Sequence, residues 1–260
     1  MKIGFFDSGM GGLSVLQEAR RQLPKEQFLY YADEEHVPYG EKTQEEVIGY
    51  VEEAVRFMVD KEVKAIVIAC NTATSVAIKR LREQYSFPIV GMEPAVKKAI
   101  DTHGKKRVLV AATPITVRGE KMKGLIQRVD HEHLVDLVPL PQLVRFAERG
   151  EFASTSVFDY LKKEFSHFSL EQYDAIVLGC THFNYFKDSM RRILPEGIRF
   201  VDGNEGTVRQ LTHELERFHL LEDQEQEITY YFSGKKVIQQ EELDRLTRME
   251  QWLDRMRLVK

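Results

Sequence analysis

Cysteine is scarce in this chain, with two among 260 residues. So few thiols cannot staple a disulfide scaffold, and a reducing cytoplasm is the natural compartment. No apolar run approaches the length of a membrane span, so no transmembrane helix is expected. The opening Met1-Lys-Ile-Gly-Phe-Phe-Asp7 meets an acid too early for a secretory signal, so none is expected. Basic residues (37) are outnumbered by acidic ones (41), giving a net charge of −4. With no basic stripe interleaved with aromatics either, a general nucleic-acid-binding role is not expected. Linkers and low-complexity tracts are also missing. What remains is an ordinary globular composition, 43% hydrophobic and 30% charged. Its length suits one large domain or two small ones.

The two cysteines occupy the same place in a repeated phrase. Cys70 ends Lys64-Ala-Ile-Val-Ile-Ala-Cys70 and Cys180 ends Asp174-Ala-Ile-Val-Leu-Gly-Cys180, 110 residues later. Each run reads as a buried strand that stops at a thiol and is followed by a helical pattern. A lone free cysteine usually acts as a small buried hydrophobe. Such a residue would fall within the apolar run, whereas both of these fall just after it. In open α/β sheets the carboxyl ends of strands are where ligands and chemistry collect.

Strands alternate with helical patterns along the chain, so the fold class is α/β with largely parallel sheets. Strands are predicted at Ile3–Phe6, Phe28–Ala32, Ala65–Ala69 and Pro88–Gly91. A glycine-rich turn leads into a helix near Leu13–Leu23, Thr43 caps a helix to Lys61, and another helix spans Ser75–Tyr85. The second half replays this order. Its strands are Val108–Ala112, Leu134–Val138, Ile176–Gly179 and Ile198–Val201, and its helices run from Pro114 to Val129, Thr155–Phe165 and Tyr185–Leu194. Asp7 and Thr113 end equivalent strands, with nearly the spacing of the cysteines. The remaining helix (Thr207–Leu220), strand (Ile228–Phe232) and charged helix (Glu241–Arg257, with the single Trp252 packing) are too little for a third domain. They are expected to return to the first half. The expected division is residues 1–95 plus 205–260 and residues 96–204, two pseudo-symmetric α/β domains with the active site in the cleft between them.

Thiolate is the reactive form of cysteine, and an ordinary thiol of pKa ~8.5 is little ionised at neutral pH. A helix N-terminus after each cysteine is expected to lower that pKa. His182 could relay Cys180's proton, and Asp7 could orient a neighbour or join proton transfer. Two thiols across a cleft suit inversion of a carbon centre, one removing a proton from one face while the other delivers one to the opposite face. Asn71, Thr72, Thr181, Ser8 and the turn amides would bind carboxylates and ammonium.

Four segments, in order and spacing, resemble bacterial glutamate racemase, of the aspartate/glutamate racemase family. They are Asp7-Ser-Gly-Met-Gly-Gly-Leu13, Val37-Pro-Tyr-Gly40, Ala69-Cys-Asn-Thr-Ala-Thr74 and Leu178-Gly-Cys-Thr-His182. The resemblance covers nearly the whole chain. It implies interconversion of L- and D-glutamate without a cofactor, with D-glutamate supplied to peptidoglycan, and Cys70 and Cys180 as the acid/base thiols. By the same match Asp7, Ser8, Tyr39, Gly40, Asn71, Thr72, Thr181 and His182 bind substrate, and Thr113 and Thr116 line it. Cys70 would deprotonate D-glutamate and Cys180 L-glutamate. A homodimer is implied because family members commonly dimerise. The chain departs from the family pattern at Phe183-Asn184, where Tyr-Pro is common. Gly119 stands in place of a frequent serine, and Leu137-Val-Pro-Leu-Pro141 lacks a common cysteine and proline. The start at the first strand leads to the expectation that the N-terminal extension used by some members for activation is absent.

Three other readings compete. Aspartate racemase would share the thiol pair, and one methylene is worth only about 1–3 kcal/mol of discrimination. A nucleotide-binding protein is suggested by Gly9-x-Gly11 and Asp33, but Ser14 replaces the third glycine and Asp7 would repel a pyrophosphate. A reversible Cys70–Cys180 disulfide needs Cα atoms within about 7 Å, and no Cys-x-x-Cys spacing is present. His131 and His133 have no evident third ligand, so no metal is expected and both read as solvated surface.

Overall fold

The apolar runs become strands in two separate sheets. The structure, a computed structural model, describes residues 1–102 and 106–260. In chain order the strands are β1 (Ile3–Asp7), β2 (Phe28–Ala32), β3 (Ala65–Ile68), β4 (Ile89–Gly91), β5 (Arg107–Ala112), β6 (Val135–Pro139), β7 (Tyr173–Leu178), β8 (Arg199–Val201), β9 (Ile228–Phe232) and β10 (Lys235–Lys236). The first sheet has the order β10-β9-β2-β1-β3-β4 and the second β6-β5-β7-β8. All pairings are parallel except β9 with β10. The run β2-β1-β3-β4 has the same topology as β6-β5-β7-β8, so β1 matches β5 and β3 matches β7. The internal repeat read from the cysteines is therefore a repeat of sheet order.

Helices cover both faces, as parallel sheets require. They are α1 (Leu13–Gln22), α2 (Gln44–Asp60), α3 (Asn71–Gln84), α4 (Val96–Asp101), α5 (Pro114–Arg118), α6 (Glu120–Val129), α7 (Pro141–Glu148), α8 (Thr155–Phe165), α9 (Lys187–Arg191), α10 (Asn204–Arg217) and α11 (Gln240–Arg257). Side chains alternate across each strand. Phe5, Tyr30 and Val67 point into one core, while Phe6, Tyr31 and Ile68 point into another. In the second sheet Leu109, Ala111, Ile176 and Leu178 join the core of Phe5, while Val108, Val110 and Val177 face α4 and α6. One apolar cluster thus runs between the sheets. Each fully buried Phe, Leu or Ile in it contributes about 1.5–3 kcal/mol.

In the C-terminal segment β9 adds parallel to β2, and α10 packs on α1. Helix α11 reaches further, because the Trp252 indole N–H donates to the Tyr185 carbonyl at 2.9 Å and its ring lies 5.0 Å from that of Phe152. Thr43 caps α2 through a reciprocal capping box with Glu46.

Several elements differ from expectation. The helix predicted from Pro114 to Val129 is two, broken at Gly119, whose extended backbone (φ −70°, ψ 144°) separates α5 from α6. Glycine's low helix propensity makes the break cheap. The helix predicted at Tyr185–Leu194 is replaced by a 3-10 turn over Thr181–Phe186 followed by the short α9. Helix α7 has no counterpart among the expected elements; it starts at Pro141, and proline is well tolerated in a first helical turn. His131 and His133 are exposed in the turn before β6, with His133 at φ 57°. That agrees with solvated surface and not with a strand.

Candidate active site

Strand order fixes where a crevice must form. In each sheet the chain winds outward in opposite directions from a central pair, β1/β3 in one and β5/β7 in the other. Loops leaving the carboxyl ends of such a pair diverge and leave a binding crevice. Those loops begin with Asp7-Ser8, Cys70-Asn71, Thr113 and Cys180-Thr181. The matched extensions are visible in the hydrogen bonds: Ala69 N–H donates to Phe6 at 2.8 Å and Gly179 N–H to Ala111 at 2.7 Å.

Both thiols are free and buried. Cys70 is the N-cap of α3, which starts at Asn71 and not at Ser75, and its sulfur accepts the Ala73 N–H at 3.5 Å. Its Sγ also lies 3.6 Å from the Ser8 hydroxyl. The expected lowering of its pKa is not found. Burial, then the Asp7 carboxylate, push the Cys70 thiol up to about 12, and the Ala73 N–H and Ser8 only partly offset them. Cys180's field raises it further, so each thiol lies within electrostatic reach of the other. Asp7 is fully buried; burial lifts its carboxyl to about 6 against the pull of His182, the Gly9 N–H and Thr181. It accepts from Gly9 N–H at 3.1 Å and from the Thr181 hydroxyl at 3.1 Å, joining the end of β1 to the loop after β7.

Cys180 lacks the α-helix N-terminus expected after it. Its carbonyl instead accepts from Phe183 N–H at 3.1 Å, the tighter winding of a 3-10 turn, and its side chain caps nothing. This winding puts the His182 Nδ1 at 3.8 Å from the Cys180 sulfur. The other ring nitrogen, Nε2, lies 2.5 Å from Glu148 Oε1. Burial works against a charged imidazole. The hydrogen bonds and charges of Cys180 and Glu148 prevail, however, and hold His182 well above its ordinary value. Glu148 shows the converse: burial would raise it, but His182, the Met10 N–H and Arg245 keep it below the usual carboxylate range. Both shifts run in the direction that favours an imidazolium against a carboxylate.

Of the remaining expected residues, the threonines, Asn71 and Gly40 cluster at these strand ends and Tyr39 turns away. The hydroxyls of Thr72, Thr113 and Thr116 form a closed triangle of 2.8, 3.0 and 3.3 Å, linking α3 to the start of α5. Asn71 Oδ1 is buried with no hydrogen-bond partner among the described residues, an acceptor available to an ammonium group. Gly40 packs so closely that an added Cβ would stand 2.8 Å from the Thr113 Cβ. The Tyr39 hydroxyl does not join the cluster, because it donates to Asp33 Oδ2 at 2.6 Å. A groove of about 640 Å³ between Gly40–Gln44 and Pro114, Arg118 and Pro141 marks the rim. The ion pair of Glu41 with Arg145 also crosses between the two halves.

Glu148 escaped the sequence reading, as did Arg245, which bonds it from α11. The signal for Glu148 was the apolar spacing of Leu143, Val144 and Ala147 after a helix-starting Pro141. Gly11 is a further site element, since a Cβ there would lie 2.7 Å from the His182 backbone nitrogen.

Comparison with known proteins gives the chain's family. The family model for Asp/Glu/hydantoin racemase matches residues 10–211. Glutamate racemase of Campylobacter curvus (strain 525.92) is 53% identical over 266 residues, covering 100% of both chains. The crystal structure of a glutamate racemase isoform from Bacillus anthracis superposes with a TM-score of 0.83 at 30% identity, covering 97% of this chain and 94% of that one. Glutamate racemase from Francisella tularensis, crystallised with D-glutamate, gives 0.81 at 27% identity, covering 96% and 93%. Among the described residues no helix is long and apolar enough to cross a membrane. With a family model matched over residues 10–211 and a relative 53% identical over the full length, the chain belongs to the Asp/Glu/hydantoin racemase family.

Proposed function

We propose that this protein is a glutamate racemase, an isomerase that interconverts L- and D-glutamate at Cα by two-thiol acid/base chemistry and needs no cofactor. The observation that carries the reading is the pair of free, buried thiols at matched strand ends, close enough for their charges to interact. The full-length similarity to the Campylobacter glutamate racemase supports the substrate.

In this reading one cysteine, as thiolate, takes the Cα proton while the other, as thiol, delivers a proton to the opposite face. After turnover the protonation states are exchanged, and the reverse reaction begins from that state. Ser8, the Ala73 N–H and Asp7 surround Cys70, whereas His182 and Glu148 serve Cys180. Asn71 Oδ1 suits the substrate ammonium, and the threonine hydroxyls and turn amides suit the carboxylates. Both thiols are buried, at 5% and 7% exposure, so a substrate held between them is largely out of water, which strengthens every charge in the site. D-glutamate would be supplied to peptidoglycan in the cytoplasm. The assembly is a homodimer, which sedimentation would test.

The test is circular dichroism of L-glutamate, and separately of L-aspartate, incubated with metal-free protein in D₂O. Loss of optical signal from glutamate alone, with deuterium at Cα, is the expected result. Signal loss from aspartate alone would keep the mechanism and overturn the substrate. Exchange with neither would overturn the reading.

A further inference from the structure

Beyond the thiols and their immediate partners, one cation is built into the Cys180 side of the site from the far end of the chain. Arg245, on α11, meets acceptors on two elements. Its Nη1 donates to Glu34 Oε2 at 2.7 Å, and its Nη2 to Glu148 Oε2 at 3.1 Å and to the Glu148 carbonyl at 3.2 Å. Glu148's other oxygen is occupied by His182 at 2.5 Å and by the Met10 N–H at 2.9 Å. A continuous chain of polar contacts therefore runs from the Cys180 sulfur through the His182 ring and the Glu148 carboxylate to the guanidinium. Glu34 belongs to the loop after β2, next to Asp33, which anchors Tyr39.

We infer that Arg245 is a positioning residue for racemisation: it orients Glu148 and holds it ionised, so that His182 can carry a proton beside Cys180. The inference rests on the racemase reading above. Both fixed oxygens of Glu148 leave its carboxylate a single orientation, with Oε1 toward His182 and Oε2 toward α11. A planar guanidinium suits this grip because one nitrogen reaches both the side chain and the backbone of Glu148 while the other reaches Glu34.

The electrostatic setting calls for a second cation. Glu148 faces His182 and Tyr185 from the turn after β7, Asp7 from β1, Tyr30 from β2, Glu34 from the following loop and Arg245 from α11. Two of those neighbours are carboxylates, and His182 and Arg245 are the leading positive charges acting on Glu148. Without Arg245, Glu148 would share a buried site with Asp7 and Glu34 and have His182 as its leading counter-charge. Its proton would then be retained to higher pH, and His182 would lose the partner that keeps it charged.

The experiment is the pH dependence of kcat/KM for glutamate in wild type, Arg245→Gln, Arg245→Lys and Glu34→Gln, with thermal unfolding as the folding control. The two enantiomers are equal in free energy, so each variant must lose kcat/KM equally in both directions, an internal check on the rates. Arg245→Gln is expected to lower kcat/KM about 10- to 100-fold and to move the acid limb up by about one pH unit. Arg245→Lys keeps the charge but not the fork, so its acid limb stays near wild type while kcat/KM falls. Glu34→Gln, which leaves the Glu148 contact in place, moves no limb upward. A uniform loss in Arg245→Gln with the limb in place would show a packing role only and overturn the inference, as would a wild-type rate. Should that variant not fold, Arg245→Lys decides: an upward limb despite its charge, or an unchanged rate, overturns the inference. Failure of the wild type itself to racemise glutamate would remove the racemase reading, a result distinct from all of these.

Discussion

Replacing Asp7 by asparagine should make the protein more stable and less active, with a stability gain that depends on pH. Asp7 is completely buried, and its carboxyl is raised from 3.8 to about 6, first by burial and only partly offset by His182, the Gly9 N–H and Thr181. A folded-state value above the unfolded one means that the native protein binds this proton more tightly. The associated stability is fully present below pH 3.8 and is lost as pH rises to about 6. Each tenfold change in proton affinity is worth about 1.4 kcal/mol, so keeping Asp7 charged at neutral pH costs about 3 kcal/mol. Asparagine retains an acceptor for the Gly9 N–H and carries no charge. Urea unfolding of wild type and Asp7→Asn between pH 4.5 and 7.5 should therefore show a difference that is small at the acid end and grows toward about 3 kcal/mol above pH 6. Racemisation should fall at least about 100-fold if Asp7 assists the Cys70 proton. A stability difference that does not vary with pH, or a variant less stable at pH 7, would refute the reasoning.

Two further substitutions probe the opposite side of the site. Glu148→Gln removes the counter-charge of His182 and should lower kcat/KM about 100-fold; NMR titration of the imidazole should show its pKa reduced, and an unmoved pKa would contradict the ion-pair assignment. Gly11→Ala places a methyl 2.7 Å from the His182 backbone nitrogen, which cannot yield as a flexible side chain would. That overpacking should cost about 1–3 kcal/mol in denaturant unfolding and displace His182 from Cys180, and an active variant of native stability would show that the turn is more pliant.

The sequence was most legible where chemistry and sheet geometry coincide. A β-branched run must be a buried strand, and a run that stops at Cys70 or Cys180 announces a strand end, so the repeat, the parallel sheets and the thiol pair were all readable. Asp7 and Thr113 followed because equivalent strands end equivalently. Legibility failed where tertiary contact decides. Whether Thr181–Phe186 winds as α or 3-10 depends on where His182 must meet Glu148, a residue 34 positions away. Glu148 itself closes a helix that has no counterpart among the expected elements, and its partner Arg245 sits on the charged C-terminal helix, expected to return to the first half and given no part in the site. The direction of the Cys70 shift was misjudged for a related reason: a helix N-terminus is visible in sequence, but the burial that outweighs it is not.

The most direct test of the account is hydrogen exchange at Cα in D₂O by the Cys70→Ser and Cys180→Ser variants, each offered L- and D-glutamate separately. The two-thiol account predicts that neither variant racemises either enantiomer, with activity reduced at least about 1,000-fold and with circular dichroism and unfolding midpoints close to wild type. Full turnover in both directions by either serine variant would contradict it, because a single thiol would then be carrying the proton on both faces.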